Sequence, residues 1–167
     1  MKVIFLDIDG VLATDKQFYM NTKNFIQKND WAKELKVPYP FDQGCVKVLN
    51  EILSVTDAVI VLSSDWKTHW SLTELHTIFE KNGVSEYPRY KTNNEEKDWG
   101  NLEKNRALQI ENFIKEFNID SYVIVDDLTV GDFMTLPNSK SKFVRTKSNH
   151  GLKESGIKNK ILKVLNK

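Results

Sequence analysis

The chain has 167 residues and a mass of 19.4 kDa, room for one domain with its own core or a small domain plus a short insertion, and too little for two full domains. Apolar residues (40%) and charged residues (28%) lie in the range of ordinary globular proteins, which excludes disordered and fibrous architectures. The formal charge of +1 argues against a strongly basic nucleic-acid binder, yet it is unevenly divided: residues 138 to 167 hold nine Lys or Arg against one acid, Glu154, a local +8 that leaves residues 1 to 137 at −7.

Val3-Ile4-Phe5-Leu6 reads as a first buried strand. Four apolar residues before Asp7 fall far short of an export signal or a membrane span, and the single cysteine, Cys45, has no partner for an internal disulfide. The expectation is a cytoplasmic protein with no membrane attachment, and Cys45 reads as a small core residue. Residues 12 to 42 are polar and aromatic, with Phe18, Tyr19, Phe25, Trp31, Tyr39 and two prolines, and they read as an inserted flap or small cap with room for one helix. Residues 43 to 54 carry Val46, Leu49, Ile52 and Leu53 at helical spacing, and Ala58-Val59-Ile60-Val61-Leu62 is a second continuous apolar run. A helix follows at residues 72 to 82, stopped by Gly83. The charged connection over 84 to 101, including Glu95-Glu96-Lys97-Asp98, has room for one short strand. A helix over 102 to 117 leads into Tyr122-Val123-Ile124-Val125, a third buried strand, then a short strand at Phe143-Val144-Arg145 and a final helix from 152 to 165. Short β-branched runs alternating with amphipathic stretches predict an α/β fold: a central parallel sheet flanked by helices.

Acids stand at the ends of these runs. Asp7 and Asp9 follow the first strand and Asp126-Asp127 end the third, at the carboxyl edge where open α/β sheets bind ligands. Side chains at i and i+2 of an extended segment share a side, which predicts Asp7 and Asp9 facing together. Four carboxylates converging on one sheet edge imply a bound cation, and oxygen-only ligands suit Mg²⁺. Ser63 and Ser64 end the second strand and offer hydroxyls for phosphate oxygens, while Lys104 and Arg106 are the cations available to balance phosphate charge.

These residues resemble the four ordered motifs of the haloacid dehalogenase (HAD) superfamily. Asp7-Ile8-Asp9-Gly10-Val11 matches the first motif, Ser63 after Val59-Ile60-Val61-Leu62 the second, Lys or Arg opening a helix the third, and Asp126-Asp127 the fourth. Phe41-Asp42, Val61-Leu62-Ser63-Ser64-Asp65-Trp66-Lys67, and Phe143-Val144-Arg145-Thr146 leading to Gly151-Leu152 also resemble small HAD domains of bacterial and phage proteins, including some RNA-repair proteins.

The resemblance implies a Rossmann-like HAD hydrolase domain over residues 1 to 167, with a minimal cap at about residues 12 to 42. It implies a phosphatase in which Asp7 is the nucleophile and forms an aspartyl-phosphate, and Asp9 is the general acid and base. Mg²⁺ is expected on Asp7, Asp9 through its carbonyl, and Asp126 or Asp127. Ser63, with Ser64 as its neighbour, and Arg106, with Lys104 as the alternative, are expected to grip the phosphoryl group.

A response-regulator receiver is the nearest look-alike, but its phosphoacceptor Asp should end a central strand where this chain has Leu62-Ser63. His69, His76 and His150 have no ligand spacing and read as surface or half-buried residues. Trp66 and Trp70 read as core packing, with base stacking as the alternative. A minimal cap leaves an open site, and together with the basic C-terminal stretch it makes a polynucleotide 3′-phosphatase one reading. A nucleotide or sugar-phosphate phosphatase with the aromatic insertion as lid is the second, and a phosphate-binding module without turnover the third.

Overall fold

The computed structural model describes residues 1–20, 22–93, 102–119, 121–133 and 139–166. The segment around Glu95-Glu96-Lys97-Asp98 lies outside these residues. In chain order the elements are β1 (Lys2–Leu6), α1 (Asp15–Phe18), α2 (Thr22–Lys28), α3 (Asp30–Leu35), α4 (Gln43–Thr56), β2 (Val59–Leu62), α5 (Trp66–His69), α6 (Leu72–Lys81) and β3 (Tyr90–Lys91). Then come α7 (Leu102–Phe117), β4 (Ser121–Asp126), α8 (Ser139–Lys142), β5 (Phe143–Arg145) and α9 (Ile157–Leu165).

The strands form one parallel sheet in the order β3-β2-β1-β4-β5. Alternation along each strand sends side chains to opposite faces. Ile4, Leu6, Ile60, Leu62, Val123 and Val125 pack with apolar residues of α4, α6 and α9, whereas Val3, Phe5, Val61 and Ile124 pack with Ala107, Ile110 and Phe113 of α7. Both faces are therefore covered, which is why the strand sequences are continuously apolar. This is the expected Rossmann-like α/β architecture. The chain runs from β1 outward to β3 and returns through β4 to the other side of β1, so the order reverses between β1 and β4. Ligands of open α/β sheets bind at such a point, outside the carboxyl ends of the strands.

Helix α4 starts at Asp42, whose carboxylate accepts from the N–H groups of Gly44 (2.9 Å) and Cys45 (3.2 Å). Helix α6 starts in a capping box of Ser71 and Glu74. Cys45 is buried and unpaired with sulfur.

Two expectations change. Among its described residues, the segment between β1 and α4 holds three short helices rather than one. The final helix is broken: Gly151–Lys153 form one 3₁₀ turn, and α9 begins only after Gly156, whose φ of +85° cannot continue an α-helix. The basic C-terminal stretch is woven into the fold, since Ile157, Ile161 and Leu165 are buried and Lys147, Lys153 and Lys158 pair with Glu154, Asp42 and Glu51. Among the described residues no helix is long and apolar enough to cross a membrane.

Candidate active site

Strands β1 and β4 are neighbours, and their ladder continues past β1 through the bond from Asp7 N–H to Val125 O (3.1 Å). That register brings Asp7 beside the end of β4, where Asp126 is the last residue. Arg106 joins them from α7: its Nη1 lies 2.9 Å from Asp7 Oδ2 and 2.8 Å from Asp126 Oδ2, and its Nη2 lies 3.3 Å from Asp65 Oδ1. Asp7, Asp126 and Arg106 are buried, whereas the Asp65 side chain is largely exposed.

Asp7, Asp126 and Asp127 each present one carboxylate oxygen to a cluster whose members lie within 4.8 Å of one another. Burial and the neighbouring Asp126 hold the Asp7 carboxyl well above the ordinary range, only partly offset by Arg106, the Ser64 hydroxyl and the Ile8 N–H. Burial also raises Asp126, against Arg106 and the N–H of Leu128, which bonds Asp126 Oδ1 at 2.9 Å. Burial and Asp126 raise Asp127. Three carboxylates crowded so that ionisation is resisted, and offering oxygen alone, are a donor set that fits a hard divalent cation.

Gly10 makes that crowding sterically feasible. Its φ is +72°, and a Cβ there would lie 2.2 Å from Asp127 Oδ2. Thr146 secures the same loop, its Oγ1 donating to Gly10 O at 2.8 Å and its N–H to Asp126 O at 3.0 Å.

Residues 3–157 match the family model described as the HAD domain in Swiss Army Knife RNA repair proteins. The chain belongs to this family. No curated protein and no solved structure matches it. Membership supports hydrolase or phosphatase chemistry of the HAD type in general, and the aspartate cluster of this HAD domain is one that could bind a metal.

The carboxylate of Asp9 stands apart from the cluster. β1 stops at Leu6 and the backbone bends at Ile8, so the extended i, i+2 relation between Asp7 and Asp9 does not apply. Asp9 Oδ1 instead accepts from Tyr39 Oη (2.9 Å) and Trp66 Nε1 (3.1 Å). Trp66 is thus both packed in the core and bonded to a site residue, while Trp70 lies 4.7 Å from it and donates its Nε1–H to Leu35 O at 2.8 Å. A cavity of about 420 Å³ opens beside Asp9, walled by Tyr39, Trp66, Trp70 and Pro38 with Lys36 and His69. On the other side, a groove of about 770 Å³ runs from Asp127 along Arg145, Lys147 and Lys160.

Ser63 and Ser64 are both buried at the end of β2, where Ser63 N–H bonds Leu6 O at 2.9 Å. The Ser64 hydroxyl sits against Asp7 and accepts from Trp66 N–H at 3.4 Å, whereas Ser63 Oγ has no hydrogen-bond partner among the described residues. Of the two third-motif cations, Arg106 is in the site; the Lys104 side chain lies outside the described residues. Among the histidines, His69 and His150 are exposed and His76 is half-buried.

The fold adds three residues that the motifs did not single out for the site. Asp65 reaches Arg106, Tyr39 reaches Asp9 from the insertion, and Lys67 is buried one turn beyond Ser63-Ser64. The signal available for Tyr39 was a hydroxyl-bearing ring in an aromatic insertion; for Asp65 and Lys67 it was adjacency to the second motif.

Proposed function

We propose that this HAD domain is a Mg²⁺-dependent phosphomonoester hydrolase that forms an aspartyl-phosphate on Asp7 and works on phosphate at nucleic-acid ends. The carrying observation is Arg106 bridging Asp7 and Asp126 at the reversal point of the sheet, with Asp127 completing a three-carboxylate cluster.

In this reading Asp7 attacks phosphorus and the bond to the leaving oxygen breaks, while Asp9 gives that oxygen a proton. Asp9 then takes a proton from the water that attacks the acyl-phosphate phosphorus, which restores the Asp7 carboxylate and releases phosphate. Tyr39 and Trp66 hold the Asp9 carboxylate for both transfers. Asp7, the Asp9 carbonyl and Asp126 or Asp127 would hold Mg²⁺, whose chemistry is to offset the repulsion between carboxylate and incoming phosphate. Arg106 favours the Asp7 carboxylate against burial and Asp126 and fixes its aim, and the hydroxyls of Ser63 and Ser64 serve the phosphoryl oxygens.

Support for a nucleic-acid substrate comes from the surroundings. The insertion is small, an aromatic cavity borders Asp9 on the leaving-group side, and the groove beside Asp127 carries Arg145 and Lys160, with Lys147, paired to Glu154, and Asp15 also on its wall. The family description, which refers to RNA repair proteins, points the same way. With Mg²⁺ and an aryl phosphate ester, the wild type should release phosphate and Asp7→Asn should not; equal rates sink the nucleophile assignment. A panel of a 3′-phosphorylated oligonucleotide, mononucleotides and sugar phosphates then decides the substrate. Preference for the oligonucleotide, weakened by salt and by replacing Arg145, Lys147 and Lys160 with Gln, supports the end-processing role. Preference for small metabolites replaces it with the small-molecule reading.

A further inference from the structure

Lys67 is a buried cation that the chemistry above does not use. It is 5% exposed, and its Nζ donates to Thr92 Oγ1 (2.6 Å) and to Gln109 Oε1. Both partners are neutral, and among the described residues no carboxylate lies within 4.0 Å of it. An ammonium group removed from water without a counter-ion is costly. Arg106 presents the opposite case, because its charge is met by Asp7, Asp126 and Asp65. Of these two buried cations, one is in direct contact with carboxylates and the other, among the described residues, is not.

The anchors of Lys67 place it at the catalytic edge. Gln109 follows Arg106 by three residues on α7, so the two share a helix face. Thr92 sits just past β3, with its N–H bonded to Leu62 O at the end of β2 (3.0 Å). Lys67 N–H in turn bonds Ser64 O at 3.1 Å. The neighbouring Ser63 supplies an independent sign, a buried hydroxyl with no hydrogen-bond partner among the described residues, at the same strand end. Burial, reinforced by Arg106 and only partly offset by Asp65 and Asp7, pushes the Lys67 ammonium down to about 8, a cost that an anion alongside would reverse.

We propose that Lys67 binds a non-bridging oxygen of the phosphate group, together with Ser63, as the cation that balances substrate charge while Arg106 stays committed to Asp7 and Asp126. This rests on the phosphate-handling reading of the site and assigns a contact within it. The alternative role is a strut that ties β3 to α7 through Thr92 and Gln109.

The test reads phosphate binding rather than turnover. In the full-length wild type with Mg²⁺, ¹⁵Nζ-lysine NMR is followed as inorganic phosphate is added, with the Lys67 signal assigned from Lys67→Arg. The Lys67 signal should shift saturably, and calorimetry should show phosphate affinity falling about 10- to 100-fold in Lys67→Met and largely restored in Lys67→Arg. A Lys67 signal that stays fixed while phosphate binds, wild-type affinity in folded Lys67→Met, or no phosphate binding by the wild type each overturns the assignment. If Lys67→Met does not fold, the wild-type titration still decides. Turnover of the aryl ester tests the hydrolase reading separately, so either result can fail alone.

Discussion

Tyr39 Oη donates a 2.9 Å hydrogen bond to Asp9 Oδ1, so a residue of the segment between β1 and α4 holds the second acid of the first motif. The ring itself is fixed by an edge contact with Phe18 and a tilted one with Trp66. Tyr39→Phe keeps the ring and removes the bond, leaving Trp66 Nε1 as the remaining donor. Turnover of an aryl phosphate should fall about tenfold or more, with little change in KM and less than about 1 kcal/mol in stability. Unchanged kcat in steady-state kinetics would make the contact incidental to the reaction.

Asp7 is buried against Asp126, so its charge is a liability to the fold as well as an asset to the site. Asp7→Asn removes that charge while Arg106 keeps Asp126 and Asp65. Without divalent metal the variant should be inactive yet more stable than the wild type, by about 0.5–2 kcal/mol. Adding Mg²⁺ should stabilise the wild type by about 2.7 kcal/mol at a hundredfold excess over Kd, and the variant much less. Urea unfolding with and without Mg²⁺ measures both, and equal Mg²⁺ stabilisation would remove Asp7 from the metal site.

Gly10 has both a positive φ and Asp127 pressed against it. In Gly10→Ala the new methyl group must displace the Asp127 carboxylate, and the left-handed backbone adds strain, for a combined cost of about 1–3 kcal/mol. Mg²⁺ stabilisation should fall with it. Gly131, where an added Cβ meets nothing closer than 3.7 Å, is the control, and Gly131→Ala should stay within about 0.5 kcal/mol of wild type. Thermal unfolding of the two variants makes the comparison.

Asp42 caps α4 and pairs with Lys153 of the 3₁₀ turn. Burial pushes its carboxyl up, but Lys153 and the N–H groups of Cys45 and Gly44 more than reverse this and leave it below the ordinary value. A depressed folded pKa contributes stability that is present above the unfolded value and lost as pH falls through the folded one. Asp42→Ala should therefore cost about 1–2 kcal/mol at pH 7, and the gap to wild type should close as pH falls below about 4. Urea unfolding at pH 7 and pH 3 reads it; a gap that does not narrow between the two would mean that the charge of Asp42 is not what stabilises α4.

The sequence by itself determined the layers and the place of the chemistry. Runs such as Val59-Ile60-Val61-Leu62 are continuously apolar because a central parallel strand is buried on both faces, and that burial is written locally. Acids immediately after such runs must lie at the strand ends, so Asp7 and Asp126 were legible as site residues before their partners were known. The tertiary structure decided who meets whom. Arg106 reaches Asp7 across 99 residues because β1 and β4 are neighbours and α7 covers that face, a fact about strand order that no local period records. The bend at Ile8 gives Asp9 to Tyr39 rather than to Asp7, and the charge of the C-terminal stretch, +8 in one dimension, is partly matched by Asp42 and Glu51 at and within α4. Lys67 shows the difference most plainly. Its buried charge depends on Thr92 and Gln109 arriving from elsewhere in the chain, because Coulomb attraction and desolvation act through space.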